Sequence, residues 1–371
     1  MKRSIRHLIA GLSGGALALG LVAATAPASQ ADDEYQVLVV GKTLGFRHSS
    51  IDEGTQAVIE IGQANGFTVD VWDPAQPGVT LPSTPFTSAE DLAKYATVVF
   101  ISTVDGTNPP FGLNRPSLLD ADELAAYQGY IQNGGGYVGV HGASDSMHNR
   151  PWYGGLVGGN AYFRNHPAQQ NATLVVEDPT HPSSAVLPAE WTLFEEWYNF
   201  TNNPREVVRV LLTLDESSYN PGSGAMGEDH PYVWCHNYDG GRSWYSALGH
   251  REGTFADPLF RDHLLGGIEW TAGVTSGGGD CVTFYEVGNL VDDLAAAGGV
   301  LNEVAAKNIA KHLEMAEAAA DAGDRNLALD ELQVAQVLAG ALIPDSATSD
   351  LIAGKIADLA EWQQGLADAG A

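Results

Sequence analysis

Short apolar segments that alternate with helical segments are the feature that most limits how this chain can fold. Each apolar segment has the length and composition of a buried strand, and each intervening segment carries apolar residues at helical spacing. Strands that alternate with helices require crossover connections, so we expect an α/β fold with a parallel sheet covered by helices on both faces. The predicted strands are 35–41, 67–72, 96–102 and 137–141, and the predicted helices are 51–65, 88–94 and 119–133.

The middle of the chain is less regular but still rich in strand patterns. Asp239-Gly240-Gly241 is a strong hairpin signal between two of its segments, because these residues favour the backbone angles of a tight turn. Segment 257–271 predicts a closing helix. The further predicted strands are 172–177, 207–214, 232–238 and 242–248.

The composition changes after a glycine-rich stretch. We expect an α/β domain over 35–273, a glycine-rich linker over 274–284 and an acidic helical domain over 285–371. The last segment has fifteen Asp or Glu against four Lys or Arg, and it contains one histidine. We therefore predict an interaction or spacer module with a cell-envelope or protein partner rather than a catalytic domain. Its predicted helices are 286–296, 300–322, 324–340 and 347–366.

The first 31 residues have the pattern of a signal peptide. Lys2, Arg3 and Arg6 precede a mostly apolar stretch, and Ser29-Gln30-Ala31 offers a cleavage site after Ala31. The alternative is a retained membrane anchor, although glycines and Ser13 interrupt the apolar stretch. We expect a secreted, soluble mature protein with no integral membrane segment.

The charge and the cysteines restrict the partners and the compartment. The net charge is −28, and loss of the three basic leader residues makes it more negative, so phosphate backbones and anionic membrane surfaces are excluded as partners. The chain has two cysteines, Cys235 and Cys281. In an oxidising compartment a single pair commonly forms a disulfide, and two buried thiols are the alternative.

Three loops are expected to meet at one edge of the sheet, because ligands of open parallel sheets bind outside the carboxyl ends of the strands. These loops are 41–48, 103–106 and 141–145. Phe46, Arg47 and His48 place an aromatic face, a cation and a titratable ring together, which suits a sugar. The alternative for Arg47 is a structural contact that ties its loop to the fold.

His141 ends the fourth predicted strand, where a nucleophile elbow would carry serine or cysteine. It is a candidate general acid or base, a candidate metal ligand, or a core histidine with both nitrogens bonded. A divalent metal held by His48, His141 or His250 is a further alternative, and the sequence does not identify a cofactor.

Titratable residues beside aromatic residues recur in the irregular half of the chain, which must cap the sheet. The predicted catalytic residues are His141, His48, Asp145 and Glu196. The predicted substrate-binding residues are Arg47, Phe46, Ser144, Trp152, Tyr153, His166, Trp197, Tyr198, His230 and His250.

Together these motifs identify a family. Residues 36–273 resemble ThuA-like (trehalose utilisation) proteins, whose fold is similar to that of class I glutamine amidotransferases. The resemblance is carried, in order, by GFRH at 45–48, GGGYVGVHGASD at 134–145, PWYGGLVG at 151–158, HP at 166–167, EEWYNF at 195–200, LLTLDESSY at 211–219, MGEDHPYVWCHNYDGGRSWYSALGH at 226–250 and FRDHLLGGIEWTAG at 260–273.

The resemblance implies a carbohydrate-linked role on a keto-sugar or disaccharide, through histidine and carboxylate chemistry. It does not imply glutamine hydrolysis, because His141 stands at the edge where the amidotransferases carry a cysteine. A hydrolase, lyase or isomerase of sugar derivatives is expected, and a non-catalytic sugar-binding module is the alternative. The tail at 285–371 resembles, more weakly, the helical modules appended to secreted actinobacterial enzymes.

Overall fold

The computed structural model describes residues 35–371, apart from 77, 109–111, 113, 276–279 and 298–300. The strands are β1 (Tyr35–Val40), β2 (Phe67–Trp72), β3 (Thr97–Ile101), β4 (Gly136–Val140), β5 (Phe163–Asn165), β6 (Gln170–Val176), β7 (Glu190–Glu195), β8 (Asn199–Phe200), β9 (Arg209–Asp215), β10 (Pro231–Tyr238) and β11 (Gly241–Ser246). The helices are α1 (Ser50–Asn65), α2 (Ala89–Leu92), α3 (Ala121–Gln132), α4 (Pro151–Val157), α5 (Pro182–Ala185), α6 (Pro258–Ala272), α7 (Phe284–Ala296), α8 (Glu303–Asp321), α9 (Arg325–Leu342) and α10 (Ser346–Ala369).

Nine strands form one sheet in the order β2-β1-β3-β4-β11-β10-β9-β6-β7. The first five strands in this order are parallel, and from β11 onward each strand is antiparallel to its neighbour. β5 and β8 form a separate antiparallel pair. The carboxyl ends of β1, β3, β4 and β11 therefore lie along one edge of the sheet.

Local sequence explains why these elements begin and end where they do. Every residue of β3 and β4 is buried, as expected for central strands with both faces covered. Asp120 caps α3 in a reciprocal capping box with Glu123. The turn between β10 and β11 has positive φ angles at Asp239 (51°) and Gly240 (98°), which are the angles that its Asp-Gly sequence favours.

The structure confirms the predicted α/β class and extends it. All the strands and helices predicted from periodicity are present, with bounds shifted by a few residues. The sheet is mixed rather than wholly parallel, because the irregular middle segments add antiparallel strands at one side. Sequence reasoning missed β5, β7, β8, α4 and α5, which are short or rich in polar residues.

The four carboxyl-terminal helices, α7 to α10, enclose a hydrophobic core of their own. Cys235 of β10 is joined to Cys281 by a disulfide, which attaches the start of α7 to the sheet. The ring of Trp362 in α10 also stacks on the buried guanidinium of Arg209 in β9. Cζ of Arg209 lies 4.7 Å from the centre of this ring. The domain bounds at 273 and 285 stay predictions, and part of the predicted linker lies outside the described residues.

The predicted signal peptide, residues 1–31, also lies outside the described residues. Within the described part of the chain, no helix is long and apolar enough to cross a membrane.

We predict that the disulfide contributes strongly to stability. It closes a segment of 46 residues, and loss of a cross-link over that length lowers the free energy of unfolding by about 3–4 kcal/mol, because the unfolded chain regains entropy. The Cys235→Ala/Cys281→Ala variant should show a lower melting temperature by calorimetry. Reductant should lower the wild-type melting temperature and leave that of the variant unchanged. Equal melting temperatures for the two proteins without reductant would contradict this prediction.

Candidate functional site

Three histidines lie at the carboxyl ends of parallel strands. His48 follows β1 in the loop before α1, His141 follows β4 directly, and His250 follows β11. Their ring centres lie 4.9 Å (His48–His141), 5.3 Å (His48–His250) and 5.2 Å (His141–His250) apart. The sheet order places the carboxyl ends of β1, β4 and β11 near one another, and the three rings therefore lie in one cluster.

His141 occupies a strained turn where β4 passes into a short 3₁₀ helix, His141–Asp145. Its φ is 48°, in the left-handed region that residues with a Cβ seldom adopt. The next residue is a glycine, Gly142, because the Cβ of any other residue there would lie only 2.9 Å from the carbonyl carbon of Ser102. Ser102 at the end of β3 also has a positive φ, 46°. Strain of this kind at two adjacent strand ends is typical of functional sites.

Glu196 reaches the cluster from the antiparallel side of the sheet, immediately after β7. Its Oε2 lies 3.4 Å from Nε2 of His141 and 3.0 Å from Nδ1 of His250. Its Oε1 lies 3.2 Å from Nδ1 of the more exposed His166. One carboxylate therefore contacts three imidazoles.

Three buried imidazole nitrogens face this centre without a well-aligned hydrogen bond from any described residue. They are Nδ1 of His48, Nε2 of His141 and Nδ1 of His250. One ligand atom from each of these histidines and one from Glu196 all lie within 4.8 Å of one another. Buried nitrogens without partners are costly, so their convergence on one point needs an explanation.

Outer contacts orient the rings of the cluster. Nδ1 of His141 lies 2.9 Å from the Ala247 carbonyl oxygen and donates to it, while Nε2 faces Glu196. Nε2 of His250 lies 2.8 Å from the Gln169 side-chain amide. His48 has a hydrogen bond with the Ser102 backbone.

Glu195, next to Glu196, anchors the loop that carries His250. Its buried Oε1 accepts hydrogen bonds from the backbone of Gly249 (3.1 Å) and Arg251 (3.2 Å) and from the Thr254 hydroxyl (3.1 Å). Ser50 at the start of α1 also donates to the Gly249 carbonyl. These bonds hold the histidine loop against both the glutamate segment and α1.

Burial and charge set the protonation of the cluster. Burial lowers the pKa of His48 to about 3, with further lowering from His141 and His250, so this ring is neutral. Burial alone would raise the pKa of Glu196, but the adjacent His141 and His250 rings hold it well below its usual range. Burial opposes the charged form of His250, yet the Glu196 carboxylate outweighs it and raises the His250 pKa.

A polar cleft of about 290 Å³ opens beside the cluster. It is lined by Ser49, Gln169, His250, Arg251, Glu252 and Gly253. Phe46, whose side chain is 66% exposed, meets the His48 ring edge to face at 4.9 Å. The cluster is thus buried but lies next to a solvent-filled opening and an exposed aromatic face.

The trehalose utilisation family model, ThuA, matches residues 36–271. The chain belongs to the ThuA family. This match covers every residue of the cluster and ends where α6 ends.

Two solved structures are similar to this chain, and the one with a TM-score above 0.5 supports the fold. A ThuA-like protein from Bacteroides uniformis is 22% identical, with a TM-score of 0.53 over 66% of this chain and 95% of that protein. A ThuA-like protein from Parabacteroides merdae is also 22% identical, with a TM-score of 0.46 over 64% of this chain and 90% of its own. No protein of curated function gives a significant sequence match.

The cysteine chemistry of amidotransferases is absent from this ThuA-family chain. Its only two cysteines, Cys235 and Cys281, are bonded to each other. The turn after β4 carries His141 instead, so no thiolate nucleophile is available there.

Several predicted substrate-binding residues lie outside the cluster in structural roles. The Arg47 guanidinium is bound by Asp73 and Asp52, which supports the structural alternative for this residue. Trp152 donates to Asp239 at the hairpin turn, which lies at the opposite edge of the sheet from His141. Tyr153 is fully buried and donates to the Ala143 carbonyl.

Three more predicted residues are buried beside the cluster rather than in it. Ser144 accepts a hydrogen bond from Tyr245. Trp197 donates its indole N–H to the Gln170 carbonyl. His230 contacts Glu216 through Nδ1 and the Tyr198 carbonyl through Nε2, so it holds the backbone at Tyr198.

Tyr198 itself packs on His141, with ring centres 4.0 Å apart, and it is part of the wall of the cluster. Sequence reasoning missed Gln169, Ala247 and the anchoring role of Glu195. Of these three, only Glu195 could have been noticed in the sequence, because it belongs to a Glu-Glu pair that precedes two aromatic residues. A backbone carbonyl such as that of Ala247 leaves none.

We predict that Glu196 controls the charge of His250 in chelator-treated protein. The carboxylate favours the protonated ring, so Glu196→Gln should lower the His250 pKa below its wild-type value, as followed by NMR titration of the imidazole protons. Glu190→Gln, an exposed substitution at the start of β7, should leave the His250 pKa unchanged. An identical His250 pKa in Glu196→Gln and wild-type protein would show that the carboxylate does not act on this ring.

Proposed function

We propose that this chain is a secreted carbohydrate-active enzyme that acts on a keto-sugar or disaccharide by acid-base chemistry assisted by a divalent metal ion. The single observation that carries this proposal is that three histidine rings and one carboxylate, all but one of them buried, each place a ligand atom within 4.8 Å of the others. The carbohydrate substrate is inferred from the ThuA family.

The donor set fits a first-row transition metal such as zinc. Three imidazole nitrogens and one carboxylate oxygen are typical ligands of such ions. His48 and Glu196 would bind in the protonation states that their pKa values already favour, neutral and ionised. A tetrahedral zinc ion requires ligand atoms about 3.4 Å apart. The ligand atoms here lie within 4.8 Å of one another, so the widest pair must close by up to about 1.4 Å.

The contacts around the ligands support the same interpretation. Metal-bound histidines usually donate their second N–H to a carbonyl, an amide or a carboxylate, which fixes the tautomer. His141 does so to Ala247. Nε2 of His250 faces the amide nitrogen of Gln169, which can only donate, so this amide must turn its oxygen toward the ring before Nδ1 of His250 can bind a metal. His166 contacts the outer oxygen of Glu196 and would hold this carboxylate in place.

A divalent ion bound by these four residues would polarise a carbonyl or hydroxyl oxygen of the sugar. The chain's own groups would position the substrate. Phe46 offers an exposed ring on which a sugar face can stack, and His166, with 41% of its side chain exposed, can donate to a hydroxyl. Asp145 is a further proton-transfer candidate on the same turn as His141.

Secretion is part of the proposal. The leader pattern at 1–31 supports it, and the Cys235–Cys281 disulfide is compatible with an oxidising compartment.

We predict that the chelator-treated protein binds one zinc or similar divalent ion per chain, measured by calorimetry and elemental analysis. His141→Ala, His250→Ala and Glu196→Gln should each weaken binding by about 100-fold or more, because each removes a ligand. His312→Ala is the matched control, since this histidine pairs with Glu331 in the helical region. Equal affinity in the three site variants and in the control would exclude the site.

Turnover tests the enzymatic part of the proposal. The purified protein is incubated with trehalose and with 3-keto-trehalose, with and without chelator, and the products are followed by chromatography. Metal-dependent product formation supports the enzyme. Sugar binding without turnover under any metal condition would instead favour a non-catalytic sugar-binding module.

A further inference from the structure

The polar cleft of about 290 Å³ meets the histidine cluster at His250. This ring belongs to the cluster and also lines the cleft, and 19% of its side chain is exposed. A molecule that fills the cleft therefore lies against one residue of the cluster. The other residues that line the cleft are Ser49, Gln169, Arg251, Glu252 and Gly253.

The guanidinium of Arg251 is oriented by contacts with the strand that leads to Glu196. Its Cζ lies 4.9 Å from the centre of the Phe194 ring, and Nη1 donates to the Phe194 carbonyl at 3.3 Å. The backbone N–H of Arg251 donates to the buried Glu195 carboxylate at 3.2 Å. The other guanidinium N–H groups have no acceptor among the described residues. An arginine oriented in this way can present two parallel N–H groups to oxygens of a ligand.

Two oxygen-bearing side chains of the cleft also lack partners in the described part of the chain. The Ser49 hydroxyl does not cap α1, although Ser49 precedes the first residue of that helix. The Glu252 carboxylate forms no ion pair or hydrogen bond there, and it does not pair with the adjacent Arg251. The cleft thus offers donors and acceptors together. A sugar hydroxyl suits both, because it can donate one hydrogen bond and accept others.

Gly253 keeps the cleft open. It lies in the 3₁₀ helix Glu252–Ala256, and its φ is outside the left-handed region, so its backbone conformation does not require glycine. Apart from its neighbours in sequence, a Cβ there would meet no atom within 4 Å, so packing does not require glycine either. Glycine in a helix costs stability, because it loses more backbone freedom on folding than other residues do. The missing side chain leaves room for a ligand instead.

The size and charge of the cleft define the ligand that it suits. Pockets for drug-sized ligands measure about 300–1,000 Å³, so a cleft of about 290 Å³ has room for one sugar ring rather than a longer chain. The charges of Arg251 and Glu252 balance within the cleft, whereas the net charge of the chain is −28. A carboxylate or phosphate on the sugar would meet Glu252 and this negative field, and a neutral ring avoids both.

We propose that the cleft is the subsite for a neutral hexose ring of the substrate, bound through Arg251 and Glu252, and that it discriminates against uronates and sugar phosphates. This inference rests on the proposed function, and it adds where a sugar ring lies and which sugars are accepted.

The first test measures sugar binding to the chelator-treated full-length protein by saturation-transfer NMR. Methyl α-glucoside and trehalose should bind, and Arg251→Met should weaken both by about tenfold, because it removes charged hydrogen-bond donors. The methionine keeps an apolar chain beside Phe194. Arg205→Met is the matched control, since Arg205 pairs with Glu177 and Asp229 and does not line the cleft. Equal affinities in the two variants would overturn the role of Arg251.

The second test separates selection by charge from a structural role. Wild-type protein should bind glucuronate and glucose 6-phosphate at least about tenfold more weakly than methyl α-glucoside. Glu252→Gln removes the charge but keeps a polar group, so it should narrow this difference, whereas a structural defect would weaken all three sugars alike. Glu303→Gln, an exposed substitution in α8, should keep the wild-type pattern. Equal affinity of the wild-type protein for the three sugars would contradict the inference.

A third variant blocks the cleft without changing its charges. Gly253→Leu places a side chain in open space, so it should fold normally and lose sugar binding while zinc binding is unchanged. Gly354→Leu is the matched control, because a Cβ at this exposed position of α10 also meets no atom beyond its sequence neighbours and its own helix. Full sugar affinity in Gly253→Leu would place the sugar elsewhere and overturn the inference.

The outcomes separate this inference from the proposed function. Metal-dependent turnover of 3-keto-trehalose, with wild-type KM in Arg251→Met and Gly253→Leu, would overturn the cleft subsite and leave the enzyme intact. Sugar binding that depends on the cleft, without turnover under any metal condition, would support the subsite and overturn the enzyme. A wild-type protein that neither binds these sugars nor forms product would overturn both.

Discussion

The rest of the site depends on one buried carboxylate. Glu196 is 6% exposed and contacts His141, His166 and His250. A buried charge is tolerated only when it is paired, and here the pairing comes from imidazoles rather than from a lysine or arginine. Because imidazoles can be neutral, the arrangement can hold either a proton or a metal ion. Glu195 fixes the position of His250 relative to Glu196, because its side chain accepts hydrogen bonds from residues 249–254.

The two halves of the sheet make different contributions. The parallel half aligns the ends of β1, β4 and β11, and this alignment places His48, His141 and His250 together. The antiparallel half ends at β7, and the chain that leaves β7 turns back to supply Glu196. The strained turn after β4 is comparable to the turn that carries the nucleophile in α/β hydrolases, but the residue on it is a histidine. The turn thus presents an imidazole at the end of the strand.

Much of this architecture could be predicted from sequence, because buried strands and amphipathic helices leave periodic signals. The positions of His48 and His141 at strand ends followed from the same signals, as did the hairpin at Asp239-Gly240. The density of histidines and carboxylates in the irregular half drew attention to Glu196 and His250, which the fold places beside His141. Sequence could not separate these from His230 or Trp152, which have similar neighbours in the chain but contact other parts of the fold. Nor could it reveal Gln169 or Ala247, whose contacts with the histidines join distant segments of the chain.

The most direct test of the central claim is crystallographic. Crystals of the full-length protein grown with zinc would be measured at an X-ray energy just above the zinc absorption edge. The account predicts an anomalous difference peak bonded to His48, His141, His250 and Glu196, with bonds of about 2.0–2.2 Å. A water molecule at that point without anomalous signal, with the three imidazole nitrogens hydrogen-bonded to it, would contradict the account.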